Sequence, residues 1–159
     1  MADTVRKKII QAVLSKLAII MVANGFNTEI GGNVERGKTH DDPENVPKLS
    51  LWAGREEAGK IIGAHVCNMN LRLEALLAVG SEEPSVLAEK ALGDMIRAMC
   101  GGWGGQSALA TTTGGYGDEI VYQSGGVESW PEPEQKVLGV PAEFIIKYRI
   151  KIGDPYNQP

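Results

Sequence analysis

The chain has 159 residues, 43% of them hydrophobic and 23% charged, which fits one globular domain whose core needs no disulfide or metal staple. A net charge of −4, from 16 basic and 20 acidic residues, argues against a nucleic-acid binder working by bulk electrostatics. Glycine is in excess at 20 residues, against an ordinary share of about 7%. Nine of the glycines fall between Gly101 and Gly126, so the excess marks glycine-rich loops in a folded domain.

Val5, Ile9, Ala12, Val13, Leu17, Ile20 and Met21 recur at helical spacing, with Lys7, Lys8, Gln11 and Ser15 off that stripe. Ile10, Leu14 and Ile19 widen the apolar surface, and Asn24-Gly25 supplies a left-handed stop before Phe26. Arg6-Lys7-Lys8 followed by Ile9-Ile10 imitates a signal peptide, but Gln11, Ser15 and Lys16 interrupt the apolar run and no cleavage site follows. No segment reaches the length of a membrane span. The expectation is a cytoplasmic chain that is neither exported nor inserted.

A short strand is expected from Phe26 to Ile30, broken by Gly31-Gly32, and then a polar loop from Asn33 to Pro47. Lys48 to Ala53 alternates at period two and reads as a strand; Gly54 to Gly63 reads as a turn region. From Cys67 to Leu77 every odd-numbered residue (Cys67, Met69, Leu71, Leu73, Ala75, Leu77) is apolar and Asn68, Asn70, Arg72 and Glu74 face the other way, the pattern of a long strand. Ser81-Glu82-Glu83-Pro84 starts a helix that runs to about Cys100.

The glycine-rich stretch Gly101 to Gly117 follows and holds Trp103 and Tyr116. Ile120 to Trp130 reads as a bent strand with a break at Gly125-Gly126. Val140 to Ile152 is the clearest strand of all, ended by Gly153-Asp154-Pro155. The order predicts a single α+β domain, residues 1–159, with an antiparallel or mixed sheet of long strands packed against two main helices. The last strand alone would span roughly 43 Å, about the full diameter of a compact chain of this size. Strands of that length continue into a partner, which implies self-assembly through sheet edges or a projecting hairpin.

Gly32-Asn33-Val34-Glu35-Arg36-Gly37-Lys38-Thr39 matches the phosphate-binding pattern G-x-x-x-x-G-K-[ST] letter for letter. That chemistry needs a helix after the loop. His40-Asp41-Asp42-Pro43-Glu44-Asn45-Val46-Pro47 supplies two prolines and adjacent acids instead, so a small nucleotide-binding protein using Lys38 is the weaker alternative. His40, Asp41, Asp42 and Glu44 lack calcium-loop spacing. His65 and Cys67 share a strand face without zinc-type spacing, and Cys67 and Cys100 form no C-x-x-C, which fits a reducing compartment. No acyl-transfer elbow or carboxylate pair stands out. No catalytic, metal or cofactor residue is expected. Gly101-Gly102-Trp103-Gly104-Gly105 follows a helix rather than a strand, which argues against a dinucleotide loop and leaves two readings: a mobile segment ordered against a neighbour, with Trp103 as its anchor, or a disordered loop with an incidental tryptophan.

Several features together resemble the tail terminator proteins of long-tailed bacteriophages. They are the amphipathic first helix ending in Asn24-Gly25-Phe26, Glu29-Ile30-Gly31, Pro47-Lys48-Leu49-Ser50-Leu51, Leu71-Arg72-Leu73-Glu74, the Pro84-to-Cys100 helix, and Ile146-Lys147-Tyr148-Arg149-Ile150 with Gly153-Asp154-Pro155-Tyr156. The Gly101–Gly117 stretch matches no motif of that family. The resemblance implies a non-enzymatic virion protein, assembled in the bacterial host cytoplasm. It would form a ring, usually of six subunits, that caps the tail tube, ends tube growth and meets the head connector. The implied partners are a second copy of the chain, the tail tube protein and the head connector or neck protein. Genomic DNA would pass through the lumen unbound. Other phage neck and head-completion proteins share the general pattern. The candidate assembly and partner contacts are Arg36, Lys38, Trp103, Tyr116 and Arg149.

Overall fold

The computed structural model describes residues 1–37 and 45–159. Helix α1 (Val5–Leu17) opens on Thr4, whose hydroxyl accepts from the Lys7 N–H at 3.2 Å and satisfies one orphan donor of the first turn. It stops four residues short of Met21. The reason lies in the crossing chain: the Gly31 N–H donates to the Ile20 carbonyl at 2.9 Å, and a Cβ on Gly31 would lie 2.7 Å from the Ile20 and Leu17 backbone. A 3₁₀ turn, Val22–Asn24, then ends at Gly25 with φ +83°, the left-handed stop that Asn24-Gly25 announced.

The expected strand from Phe26 to Ile30 is absent. The backbone N–H of Asn27 and the hydroxyl of Thr28 both donate to the carboxylate of Asp94, so this segment takes its partner from a helix rather than from a neighbouring strand. The expected loop from Asn33 instead begins with a short strand, β1 (Val34–Arg36).

Strand β2 (Lys48–Ile61) runs straight through the predicted Gly54–Gly63 turn, with a bulge between Ala53 and Glu56. The chain reverses only at Ile62-Gly63 and returns as β3 (Ala64–Ala78). Helix α2 (Pro84–Cys100) places proline in its first turn, where the missing N–H costs nothing. The glycine-rich stretch contains a short helix, α3 (Ala108–Thr112), capped by Ser107.

Strand β4 (Gly117–Gly125) starts and ends earlier than expected, and 127–130 is not strand. Gly126, with φ +125°, takes the chain off the sheet, as the Gly125-Gly126 break suggested. Strand β5 (Val137–Lys151) is 15 residues long.

The five strands form one mixed sheet in the order β1-β2-β3-β5-β4. Only β1 pairs in parallel, with β2; the other neighbours are antiparallel. One face carries Leu49, Leu51, Met69, Leu71, Leu73, Val140, Phe144 and Ile146, all at most 1% exposed. It packs on Val5, Ile9, Val13 and Leu17 of α1 and on Ala91, Met95 and Met99 of α2. The opposite face carries Trp52, Asn68, Asn70, Arg72, Glu143, Lys147 and Arg149, all exposed or half-buried. The fold is therefore α+β, a sheet with helices on one side. At roughly 3.3 Å per residue β3 and β5 are each about 50 Å long, and the helices cover only part of that length.

Candidate assembly surface

The described part of the phosphate-loop match is spent on the sheet. Val34, Glu35 and Arg36 pair with Leu49, Ser50 and Leu51, and the Gly37 N–H donates to the Leu51 carbonyl at 2.7 Å. Gly37 passes against the Trp52 indole so closely that a Cβ there would lie 2.0 Å from its Nε1. Its glycine serves packing rather than a phosphate cradle. Lys38 and Thr39, with the acidic turn His40 to Glu44, lie outside the described residues.

The remaining candidates do not form one patch. Arg36 is exposed at the end of β1, on the edge of the sheet. Arg149 is exposed on β5, three strands away in sheet order. Its guanidinium grips the Asp118 carboxylate through Nε at 2.8 Å and a terminal nitrogen at 3.2 Å.

Trp103 and Tyr116 both pack against α1. Trp103 stacks on Phe26 at 5.9 Å between centroids and 26° between planes. Lys16 Nζ lies 5.8 Å from the Trp103 centroid and donates to the Thr111 hydroxyl at 2.9 Å. The Arg97 guanidinium covers Phe26 at 4.7 Å and donates to the Gly25 carbonyl at 2.6 Å. One turn of α1 before Lys16, Ala12 meets Gly114; one turn before that, Lys8 lies 5.3 Å from the Tyr116 ring.

The glycine-rich stretch thus runs along the Lys8–Ala12–Lys16 stripe of α1. Trp103-Gly104-Gly105-Gln106 makes a tight hairpin turn, with φ +60° and +80° at the two glycines and hydrogen bonds of 3.1 and 3.0 Å closing it. Positive φ at both central positions strongly favours glycine, with asparagine or aspartate the main substitutes. Trp103 keeps 37% of its surface exposed, and its inward face is taken by its own chain. Lys16, read in sequence as an interruption, is buried, and that burial holds its ammonium pKa below the usual lysine range.

A second network, which no sequence motif announced, ties α1 to the middle of the sheet. Arg6 donates to Glu56 Oε1 at 3.0 Å and to the Gly54 carbonyl at 2.8 Å. The hydroxyl of Tyr148, 1% exposed, donates to the same Glu56 oxygen. Burial, reinforced by Glu56, pushes the Tyr148 hydroxyl far above its usual range. Burial likewise pushes up the thiols of Cys67 and Cys100, and a thiol held protonated is a poor nucleophile. Among the described residues no group of three or more His, Cys, Asp or Glu could hold a metal ion, and no helix is long and apolar enough to cross a membrane.

Beyond Glu56 the β2 side of the β2–β3 hairpin leaves the packed layer, while Ala64 and Cys67 on its β3 side stay buried. Residues 57–63 are all exposed, with Ile61 at 46% and Ile62 fully so. The outer edge of β2 pairs with β1 only through Leu51, and among the described residues no strand continues that ladder. At the other side of the sheet β4 is likewise an open edge. Sequence reasoning missed the hairpin because glycines at 54, 59 and 63 look like turn residues. Upstream of Cys67 the apolar phase flips at Val66-Cys67, so no continuous alternation marks the start of the strand at Ala64.

On the face away from the helices, Trp52, Asn70, Arg72, Gln123 and Glu143 line an open cleft of about 680 Å³. Arg72 lies 3.4 Å from Glu128 and 3.5 Å from Glu143. The surface combines an aromatic wall with paired charges, suited to a polar partner surface. The sequence matches no protein-family model and no curated protein.

Proposed function

We propose that the chain is a structural virion protein, a tail terminator of a long-tailed bacteriophage that forms a ring on the tail tube, ends its growth and joins it to the head connector. The observation that supports this reading most is the projecting sheet. Strands of 14 and 15 residues far exceed the ordinary 5–6, and an outer hairpin strand that is exposed from 57 to 61 with its edge unpaired invites a partner strand.

The resemblance of the first helix, the Leu71–Glu74 strand and the Ile146–Ile150 strand to that family supplies the assignment to the tail end of the virion. In this reading the partners are further copies of the chain, the tube protein and the neck, and DNA passes through the lumen unbound. Light scattering coupled to size-exclusion chromatography, followed by negative-stain imaging, tests it. Closed rings that cap purified tail tubes are the expected result. A chain that forms no ring and leaves tube length unchanged refutes the reading, and one that binds the head connector without touching tubes makes it another neck protein.

A further inference from the structure

We infer that the free edge of β2 is self-complementary and pairs antiparallel with the same edge of a second copy, about a two-fold axis at Ala58. Ile61 and Ala64 are register partners joined by Ile62-Gly63 alone, and a two-residue loop closes on a pair that exchanges both hydrogen bonds. Bonded and non-bonded pairs alternate along an antiparallel ladder. Gly59 and Glu57 therefore also point their backbone groups at β3, while Glu56, Ala58 and Lys60 point theirs outward. The register is unbroken from Ile61 back to Glu56, so the phase holds over the whole segment.

A two-fold axis at Ala58 sets Ala58 opposite itself and Glu56 opposite Lys60 of the mate, twice. All three positions are outward-pointing, so the facing strands would exchange about six backbone hydrogen bonds. The same register places opposite charges directly across the strands, an arrangement that stabilises antiparallel pairs. Lys60 makes no ion pair among the described residues. A lysine on an edge strand repels most incoming strands; here the incoming strand brings Glu56 to it, through the carboxylate oxygen that Arg6 and Tyr148 do not use. Moving the axis by half a residue, between Glu57 and Ala58, would set Arg55 against Lys60. No proline interrupts residues 54–61, and 57–61 are exposed.

This inference stands apart from the ring reading. An edge paired with its own copy is closed to any other strand, so the two-fold pair and ring contacts through β2 exclude one another. The test is disulfide trapping in a Cys67→Ala, Cys100→Ser background, which removes both native thiols, Cys67 being the register partner of Ala58 within the chain. Residues facing each other in a hydrogen-bonded pair have Cα atoms about 5.5 Å apart, within disulfide reach. Ala58→Cys is expected to give a covalent dimer under mild oxidation, and Glu57→Cys, whose mate lies two residues along the strand, to give none.

Sedimentation velocity of the full chain is expected to show a dimer that Lys60→Glu and Ala58→Pro each convert to monomer, with circular dichroism confirming that both variants fold. A wild-type chain that sediments as a monomer, equal trapping at positions 57 and 58, or a dimer indifferent to Lys60→Glu overturns the inference. Rings that form without trapping at position 58 overturn it and leave the ring reading intact; trapped dimers that never form rings do the reverse.

Discussion

Replacing Trp103 by alanine separates two roles for the glycine-rich stretch, because the structure assigns that side chain a measurable intramolecular share. With 37% of Trp103 exposed, about two-thirds of a surface of roughly 250 Å² is covered, or ~150 Å². At about 25 cal/mol/Å² that burial is worth ~4 kcal/mol, an upper bound, since the unfolded chain already hides part of the ring. Stacking on Phe26 adds about 1 kcal/mol, and Lys16 over the indole about 0.5–1. Against this, alanine retains some burial and leaves the side chain's ordering entropy unspent. A net loss of about 3 kcal/mol follows, a melting-point drop of roughly 6–12 °C for a chain of this length.

The assay is urea denaturation followed by far-ultraviolet circular dichroism, because the chain has three tryptophans and the substitution removes one of them. Trp103→Phe, which keeps a ring on Phe26, is expected to lose only about 1 kcal/mol. A Trp103→Ala chain less than ~1 kcal/mol weaker than wild type, yet defective in ring formation, would show that Trp103 serves a neighbouring subunit and not its own α1.

Three further outcomes follow from buried contacts. Asp94→Ala removes the acceptor shared by the Asn27 N–H and the Thr28 hydroxyl and is expected to cost about 3 kcal/mol in denaturant; coupling of ~1 kcal/mol with Thr28→Ala in a double-mutant cycle is the check, and additivity refutes it. Gly31→Ala drives a Cβ to 2.7 Å from fixed backbone of Ile20 and Leu17, so a loss of about 3 kcal/mol is expected, and near-neutral behaviour in a melt would show that the crossing is looser. Burial lowers the folded pKa of Lys16, so between that value and its unfolded one the unfolded chain binds more protons and stability rises with pH. The stability of wild type relative to Lys16→Met is therefore expected to increase as pH climbs toward the ordinary lysine range, and a difference that is flat or falling refutes the burial argument.

Those contacts also show which parts of the molecule the amino-acid pattern could reveal. Alternation at Leu71–Leu77 and Val140–Ile146 is legible because one side of each strand meets helices and the other meets water. The α1 stripe is legible for the same reason. Lys16 is not, because its ammonium lies over Trp103 and donates to Thr111 within its own chain, and a lysine buried in this way looks in sequence like any solvated one. Phe26–Ile30 misleads because Asn27 and Thr28 are held by Asp94, a long-range partner with no local signature. β1 is invisible because three residues borrow their order from β2.

The hairpin beyond Glu56 is the instructive failure. A strand that leaves its helical layer has no core face, so its two sides carry the same mixture of Glu, Lys, Gly and Ala, and the contrast that defines period-two patterning vanishes. Glycine at positions 59 and 63 then tips the reading toward a turn. The same loss of contrast leaves this edge open to pairing, since apolar cover on either side would have fixed one register and one partner within the chain. Charge order takes over where hydrophobicity falls silent: Glu56 and Lys60, four residues apart and on the same side of the strand, favour one antiparallel register of a mate, at about 0.2–1 kcal/mol per pair.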